Sequence, residues 1–549
     1  MLEHRSRTAA AFGAVALVSA AFLSAQGPPP PLLPPPAPPQ NPVTTAKTNL
    51  GKTLFWDEQL SSSRTIACAT CHMPEAGGTD PRTGTALHPG RDGRTGTPDD
   101  VFGSPGVIEH DAGGGCVHNA TFGLSPQVTS RRAPPAIMAA YAPLQFWDGR
   151  RNGILVDPAT NLVVIPGGGA LENQVLEPPL SPIEMNHAGV SWSELEQRLA
   201  ASKPLALATD LPAALATWLG QRNYPDLFQE AFGSPAITAV RVAMAIATYE
   251  RSLVPNQAPV DQQAITPLPP LEARGQQIFT GVGRCIGCHG APLFSRPAAF
   301  FHIGVRPPQE DPGRGAITSA PQDNGAFKVP SLRNVGLRTR FFHNGGKVSL
   351  EEVVDFYTRG GDFRSPNIAI QPFALSPQDR TALVAFLRNA LTDPRVAQAL
   401  PPFDHPTLNS MSGRGARTYG VATPGSSGRP PRVLAPEPAV LGNPTYRLAI
   451  DDGVAGAPAF LLLDTAPGQA TLLGVTFNVG LTPSMLAVSL GALAGGAGVP
   501  GWTSFSLALP DDRALVGASV YLQAIAVDPL LATGLSASAG VQVTFFAER

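Results

Sequence analysis

Cys68-Ala69-Thr70-Cys71-His72 recurs later in the chain as Cys285-Ile286-Gly287-Cys288-His289, with the two histidines 217 residues apart. In each copy, thiols at i and i+3 share one face of a helical turn, so both can bond the vinyl groups of one porphyrin. The histidine that follows then faces the iron and supplies its proximal ligand. A zinc site asks for four clustered ligands, and a redox dithiol has no use for a trailing histidine; neither explains two distant copies of one pattern. The chain therefore reads as the holder of two covalently bound haem c groups. Cys68, Cys71 and His72 bind the first, and Cys285, Cys288 and His289 the second.

Around these motifs, 549 residues with 43% hydrophobic content leave room for three or four domains with packed cores. The 59 prolines and 56 glycines predict long irregular connections. A net charge of −2, with 15% charged residues, points to no nucleic acid or anionic membrane surface as a partner. Four of the five cysteines belong to the haem motifs, so Cys116 has no partner for an intrachain disulfide. Arg5 and Arg7 precede an apolar run from Ala9 to Leu23 that ends in Ser24-Ala25, which fits a signal peptide over residues 1–26. That run is short for a membrane span, and no other stretch is long and apolar enough to cross a bilayer. A periplasmic or secreted protein is expected.

The expected fold is mostly α, with two cytochrome c-type haem domains followed by an all-β sandwich. Residues 27–43, rich in proline, should form an extended tether. The first haem domain should span 44–267, with helices at Thr45–Phe55, Ser191–Ala201 and Ile237–Leu253 and an aperiodic surface insertion from Gly77 to Ser130. The second should span 268–405, with helices at Leu271–Phe279, Ser349–Thr358 and Ser376–Leu391; the last opens on Ser376-Pro377, an N-cap followed by proline at the first helical position. Residues 406–432 read as a flexible linker. From 433 to 549, seven short apolar runs predict an antiparallel sandwich, and this stretch contains no Cys or His to give it a redox role.

Between the haem motifs lie Phe146-Trp147-Asp148-Gly149-Arg150 and Ser181-Pro182-Ile183-Glu184-Met185-Asn186. After the second come Phe327-Lys328-Val329-Pro330-Ser331-Leu332-Arg333-Asn334-Val335 and Phe341-Phe342-His343-Asn344-Gly345. In this order the motifs resemble those of the bacterial dihaem cytochrome c peroxidase and MauG family, over roughly Asn49 to Leu391. The resemblance implies a peroxidatic first haem and an electron-transfer second haem. Trp147 matches the tryptophan that relays charge between them, and Glu184 the distal glutamate that shuttles a proton on peroxide. The sixth ligand of the second haem is a methionine in the peroxidases and a tyrosine in MauG, and the matching position is Tyr357. The methionine-type enzymes need that haem reduced before the first one opens to peroxide.

The resemblance also implies partners: hydrogen peroxide, and as reductant a small electron-donor protein (a cytochrome c or a cupredoxin) or a protein substrate. A dihaem oxygenase acting on an apolar substrate and a non-catalytic electron-transfer cytochrome are the alternatives. Two departures stand out. Family members can carry a histidine ahead of the Trp motif that caps the first haem, whereas His88, His110 and His118 here fall at other spacings, so an open first haem is expected. The family's calcium is bound near an Arg-Asn-Ser-Pro-like stretch, which here is Arg131-Arg132-Ala133-Pro134, with a cation where a ligand would be. Asp92, Asp99 and Asp100 are acids that could hold an ion elsewhere.

Overall fold

The computed structural model describes residues 29–82, 86–496 and 498–549; the expected signal peptide at 1–26 lies outside them. The first haem region is built on two helices, Thr45–Phe55 and Ala239–Ser252. Thr44 and Thr238 cap them by accepting backbone N–H bonds from Lys47 and Arg241, contacts worth about 1 kcal/mol each. The helices cross closely at Gly51, where a Cβ would stand 1.9 Å from the Ala245 carbonyl oxygen. This crossing brings Phe55, Trp56 and Tyr249 into one core. At its edge, Arg251 makes a buried bidentate pair with Glu172, at 2.6 and 2.9 Å. Removing either partner would leave an uncompensated buried charge, at a cost of about 3–5 kcal/mol.

The proline-rich segment is docked along this domain rather than acting as a free tether. Leu32, Pro35, Pro38 and Asn41 are buried while most of their neighbours are exposed, the three-residue period of a polyproline II helix lying on one edge. Asn41 closes the contact by donating to Glu172 and to the Met244 carbonyl, both at 2.9 Å.

In the second haem region Pro270–Thr280 packs on Pro377–Ala385, and Gly275 is the contact, because a Cβ there would lie 2.1 Å from the Ala382 carbonyl oxygen. The latter helix ends in a π-helical stretch, Phe386–Ala390, and Phe279, Phe294 and Phe386 interlock beside it. Helix nevertheless makes up only 26% of the described residues, so the expectation of a mostly α protein is corrected. Long proline- and glycine-rich connections build most of the walls around the two haem motifs.

Beyond residue 412 the chain is β-rich. One antiparallel sheet runs in the order Leu486–Ala492, Pro458–Asp464, Ser519–Val527, Gly540–Thr544, Arg417–Tyr419, and a second runs Ala494–Gly496, Val499–Leu507, Tyr446–Gly453, Arg432–Leu434. Leu448 and Ile450 from the second sheet share a core with Leu461, Ala524 and Val541 from the first. Two expectations about connections are overturned. Residues 406–432 are no free linker, since Leu408 sits in the core of the first haem region and Arg417–Tyr419 is a strand. The described part of Gly77 to Ser130 is more than a surface insertion: residues 91–96 are exposed, but Cys116 and Leu124 pack with Ala449 of the β region, and the Cys116 N–H donates to Ser504 Oγ at 2.8 Å.

Candidate functional site

The first haem motif lies on a cavity of about 450 Å³. Cys68–Cys71 forms one helical turn, which presents both thiols and then His72 to the same opening. His72 Nδ1 lies 3.2 Å from the Gly78 carbonyl oxygen, and donating to it leaves Nε2 as the basic nitrogen an iron needs. Glu184 and Trp147 line this same cavity. Five of the residues read from sequence thus converge on one space, and the donor set fits a covalently held haem. Residues of the second haem region, Leu293, Ser295 and Lys328 to Ser331, complete the wall.

Glu184 is positioned by the segment that looked like an insertion. Gly106 presses so closely on the Glu184 loop that a Cβ there would stand 1.9 Å from the Ile183 carbonyl oxygen. Val107 N–H donates to that oxygen at 3.2 Å, and Gln127 Nε2 to the Pro182 carbonyl at 2.7 Å. What Glu184 exposes faces the cavity, and burial, reinforced by the charge of Glu177, pushes its pKa up to about 7. A carboxyl poised there can both take and return a proton near neutral pH.

Trp147 sits where the two haem regions meet. Its Nε1–H donates to the Arg132 carbonyl at 2.8 Å, and its own carbonyl accepts from Lys328 N–H at 2.8 Å. His343 stands edge-on to it at 6.4 Å and stacks on Phe327 at 3.6 Å. Burial lowers the His343 pKa to about 3 and that of Lys328 to about 8.

Beside them Arg131 bridges Asp148, next to Trp147, and Asp311 of the second region through three contacts of 2.6 Å. Burial of Asp311 opposes its ionisation, but the hydrogen bonds and charge of Arg131 hold its carboxyl below the usual range. A depressed carboxylate contributes stability that is present at neutral pH and lost as pH falls through the acid range. Arg131→Gln is therefore expected to cost about 1.5–3 kcal/mol at pH 7 and less at pH 3. Thermal melts of the holoprotein at both pH values check this; equal losses would show that Arg131 acts by packing alone.

At the second motif, Cys285–Gly287 is a 3₁₀ turn and His289 Nδ1 lies 3.2 Å from the Phe294 carbonyl oxygen, the same tautomer-setting contact as at His72. Tyr357 projects from Leu350–Thr358, a helix capped by Ser349. It meets Phe356 edge-on at 5.2 Å and Phe342 at 6.4 Å. Burial, with the nearby Cys285 and Cys288 thiols, pushes its phenol pKa well up. The fold therefore brings Tyr357 to the second motif.

His88, His110 and His118 do not reach the first cavity, where His72 is the one histidine among the described lining residues. His110 bonds Ser62 and His118 stacks on Trp502. Asp99 and Asp100 accept backbone N–H bonds of their own loop, from Arg91, Asp92 and Gly96. Among the described residues no three acids, histidines or cysteines are grouped to hold a metal ion.

Two cavity residues escaped sequence reading. Lys328 is one. The other is Glu250, whose Oε2 is buried without a hydrogen-bond partner and whose pKa burial raises to about 8. The available signal was position: Glu250 follows Ile246 by four residues, on the apolar face of its helix.

A sequence model of the dihaem cytochrome c peroxidases matches residues 45–265, and one of cytochrome c matches residues 272–391. The methylamine utilization protein MauG of Methylorubrum extorquens is 32% identical over 361 residues, which span 64% of this chain and 80% of that protein. The cytochrome c551 peroxidase of Nitrosomonas europaea is 28% identical over 321 residues, 57% of this chain and 73% of the relative. Among solved structures, a MauG-like protein associated with microbial copper homeostasis aligns over 68% of this chain and 97% of its own, with 24% identity and a TM-score of 0.47.

Proposed function

Because the chain belongs to the dihaem cytochrome c peroxidase and MauG family of oxidoreductases, we propose that it reduces hydrogen peroxide at its first haem site. The observation that carries this reading is the convergence of Cys68, Cys71, His72, Glu184 and Trp147 on one cavity. Haem bound at the two motifs would supply an iron for peroxide and a store for the second oxidising equivalent. Glu184 takes the proton from the inner peroxide oxygen and returns it to the outer one as the O–O bond breaks. Trp147 carries charge between the two sites, and its N–H stays bonded to the Arg132 carbonyl. His289 and Tyr357 would hold the second iron, where a phenolate would favour its oxidised states.

The electrons come from a small redox protein or a protein substrate. Residues 44–267 and 268–405 are the two haem domains, with the segment to about 412 completing the first, and 433–549 is a sandwich docked on them. Covalent haem supports a periplasmic or secreted location, and among the described residues no helix is long and apolar enough to cross a membrane.

Mass spectrometry of the mature protein should show two haem additions, and one after changing Cys68 and Cys71 together to alanine. A variant that kept both would refute the assignment. Peroxide consumption with a high-spin ferric signal supports the enzyme; two low-spin haems without turnover would mark an electron carrier.

A further inference from the structure

A row of rings leaves the first cavity by a path that avoids Trp147. Phe55 lines the cavity, with its ring 6.5 Å from that of His72. Tyr249 meets Phe55 edge-on at 5.3 Å, and Trp56 lies 6.3 Å from Phe55. Trp56 Nε1–H donates to the Tyr249 hydroxyl oxygen at 3.1 Å. His405 then lies flat on Trp56, with centroids 4.0 Å apart and planes 4° from parallel.

Tyr249 and Trp56 are each 1% exposed. The row reaches solvent at its far end, where His405 Nε2 stands 2.9 Å from Glu75, whose side chain is 39% exposed. The stack is held in place: Lys52, one turn before Trp56, pairs with Asp404 at 2.9 Å, and Phe403 is anchored in the core. Tyrosine and tryptophan are the side chains most easily oxidised by one electron, and here they connect a haem cavity to the surface.

We propose that Trp56, coupled through Tyr249 and Phe55, is a one-electron relay that lets small soluble reductants at the His405–Glu75 surface feed the first haem site without using the second haem. This rests on the peroxidase reading, since peroxide is the oxidant. Peroxide takes up two electrons and two protons and leaves as two waters. When one of those electrons comes from Trp56, the ring becomes a radical cation that keeps its Nε1 proton in the bond to Tyr249, so no bond in the protein breaks. Tyr249 would have to release its hydroxyl proton on oxidation, and among the described residues that hydroxyl has no acceptor. The radical therefore rests on Trp56, stacked on His405, whose Nε2 faces the Glu75 carboxylate. Two phenols at the surface return the two electrons in successive one-electron steps through Trp56, each leaving as a phenoxyl radical and releasing its hydroxyl proton to solvent, which together balance the two electrons and two protons that peroxide takes up.

The test mixes ferric holoprotein with one equivalent of peroxide in the presence of a nitroso spin trap, followed by peptide mass spectrometry. The adduct is expected on Trp56. Trp56→Phe should lose that adduct and slow peroxide-dependent oxidation of a small phenol by at least about tenfold, with both haem additions and the ferric spectrum intact. His405→Ala, which uncovers Trp56, should speed that oxidation. Mapping in the unsubstituted protein stands even if Trp56→Phe fails to fold. Adducts confined to other residues, or phenol oxidation unchanged in a folded Trp56→Phe protein, would overturn the relay alone. A wild type that consumes no peroxide would overturn the peroxidase reading and the relay with it.

Discussion

Replacing Glu184 by glutamine is expected to lower peroxide turnover by about 100-fold or more, with both haem spectra unchanged. Glutamine keeps the shape wedged against the Gly106 segment but cannot take up a proton. The pH dependence separates this role from packing. Burial raises the Glu184 pKa to about 7, so the wild-type base form grows as pH rises through 7, and the rate should climb over that window and then level off. The variant should lose that limb. Stability should move the other way. A carboxyl whose folded pKa is raised is least costly to bury below its unfolded value near 4.5 and destabilises the fold progressively as pH rises from there through about 7, levelling off above, so Glu184→Gln should be at least as stable as wild type at pH 8. Initial rates and melts across pH 5–9 decide this; full activity with intact haem would remove Glu184 from the chemistry.

Tyr357→Met is expected to raise the potential of the second haem by about tens to hundreds of millivolts, the scale that axial ligands command. A phenolate favours the oxidised iron and a thioether the reduced one. No histidine but His72 is among the described residues lining the first cavity, so no second histidine there would have to be released before peroxide enters. The fully ferric wild type should therefore react with peroxide directly, and the variant should hold its oxidised state for a shorter time. Potentiometry with stopped-flow absorbance checks both statements. An inert ferric wild type that reacts only after one-electron reduction would leave Tyr357 as a packing residue beside Phe356.

What could be read from the sequence was what local rules control. Thr45–Phe55 announces itself through a threonine cap and apolar periodicity, and the haem motifs through a spacing that one helical turn imposes. Glu184 and Trp147 were found through the motifs around them, and the cavity unites them. What stayed hidden was made by partners far apart in the chain. The stretch from Gly77 to Ser130 has no periodicity, because its buried residues each meet something distant: Gly106 the Ile183 carbonyl, and Cys116 a serine 388 residues away. Arg132 looked like the loss of a metal ligand, whereas its guanidinium donates to the carbonyls of Asp80, Arg82 and Gly103, 29 to 52 residues away. Glu250 had one local signal, its place on the apolar face of its helix four residues after Ile246, and only the fold shows that this face meets the cavity. The proline run and residues 406–432 carry the composition of free chain, but docking surfaces exist for both.

The core of the first haem region includes Val396, Phe403 and Leu408 beside Leu50, Leu54 and Tyr249. A ribosome delivers the early half of that core long before the late half, so the earliest domain of the chain is also among the last to close. Residues 403–408 are thus a late closing piece of the first haem region rather than a tail of the second.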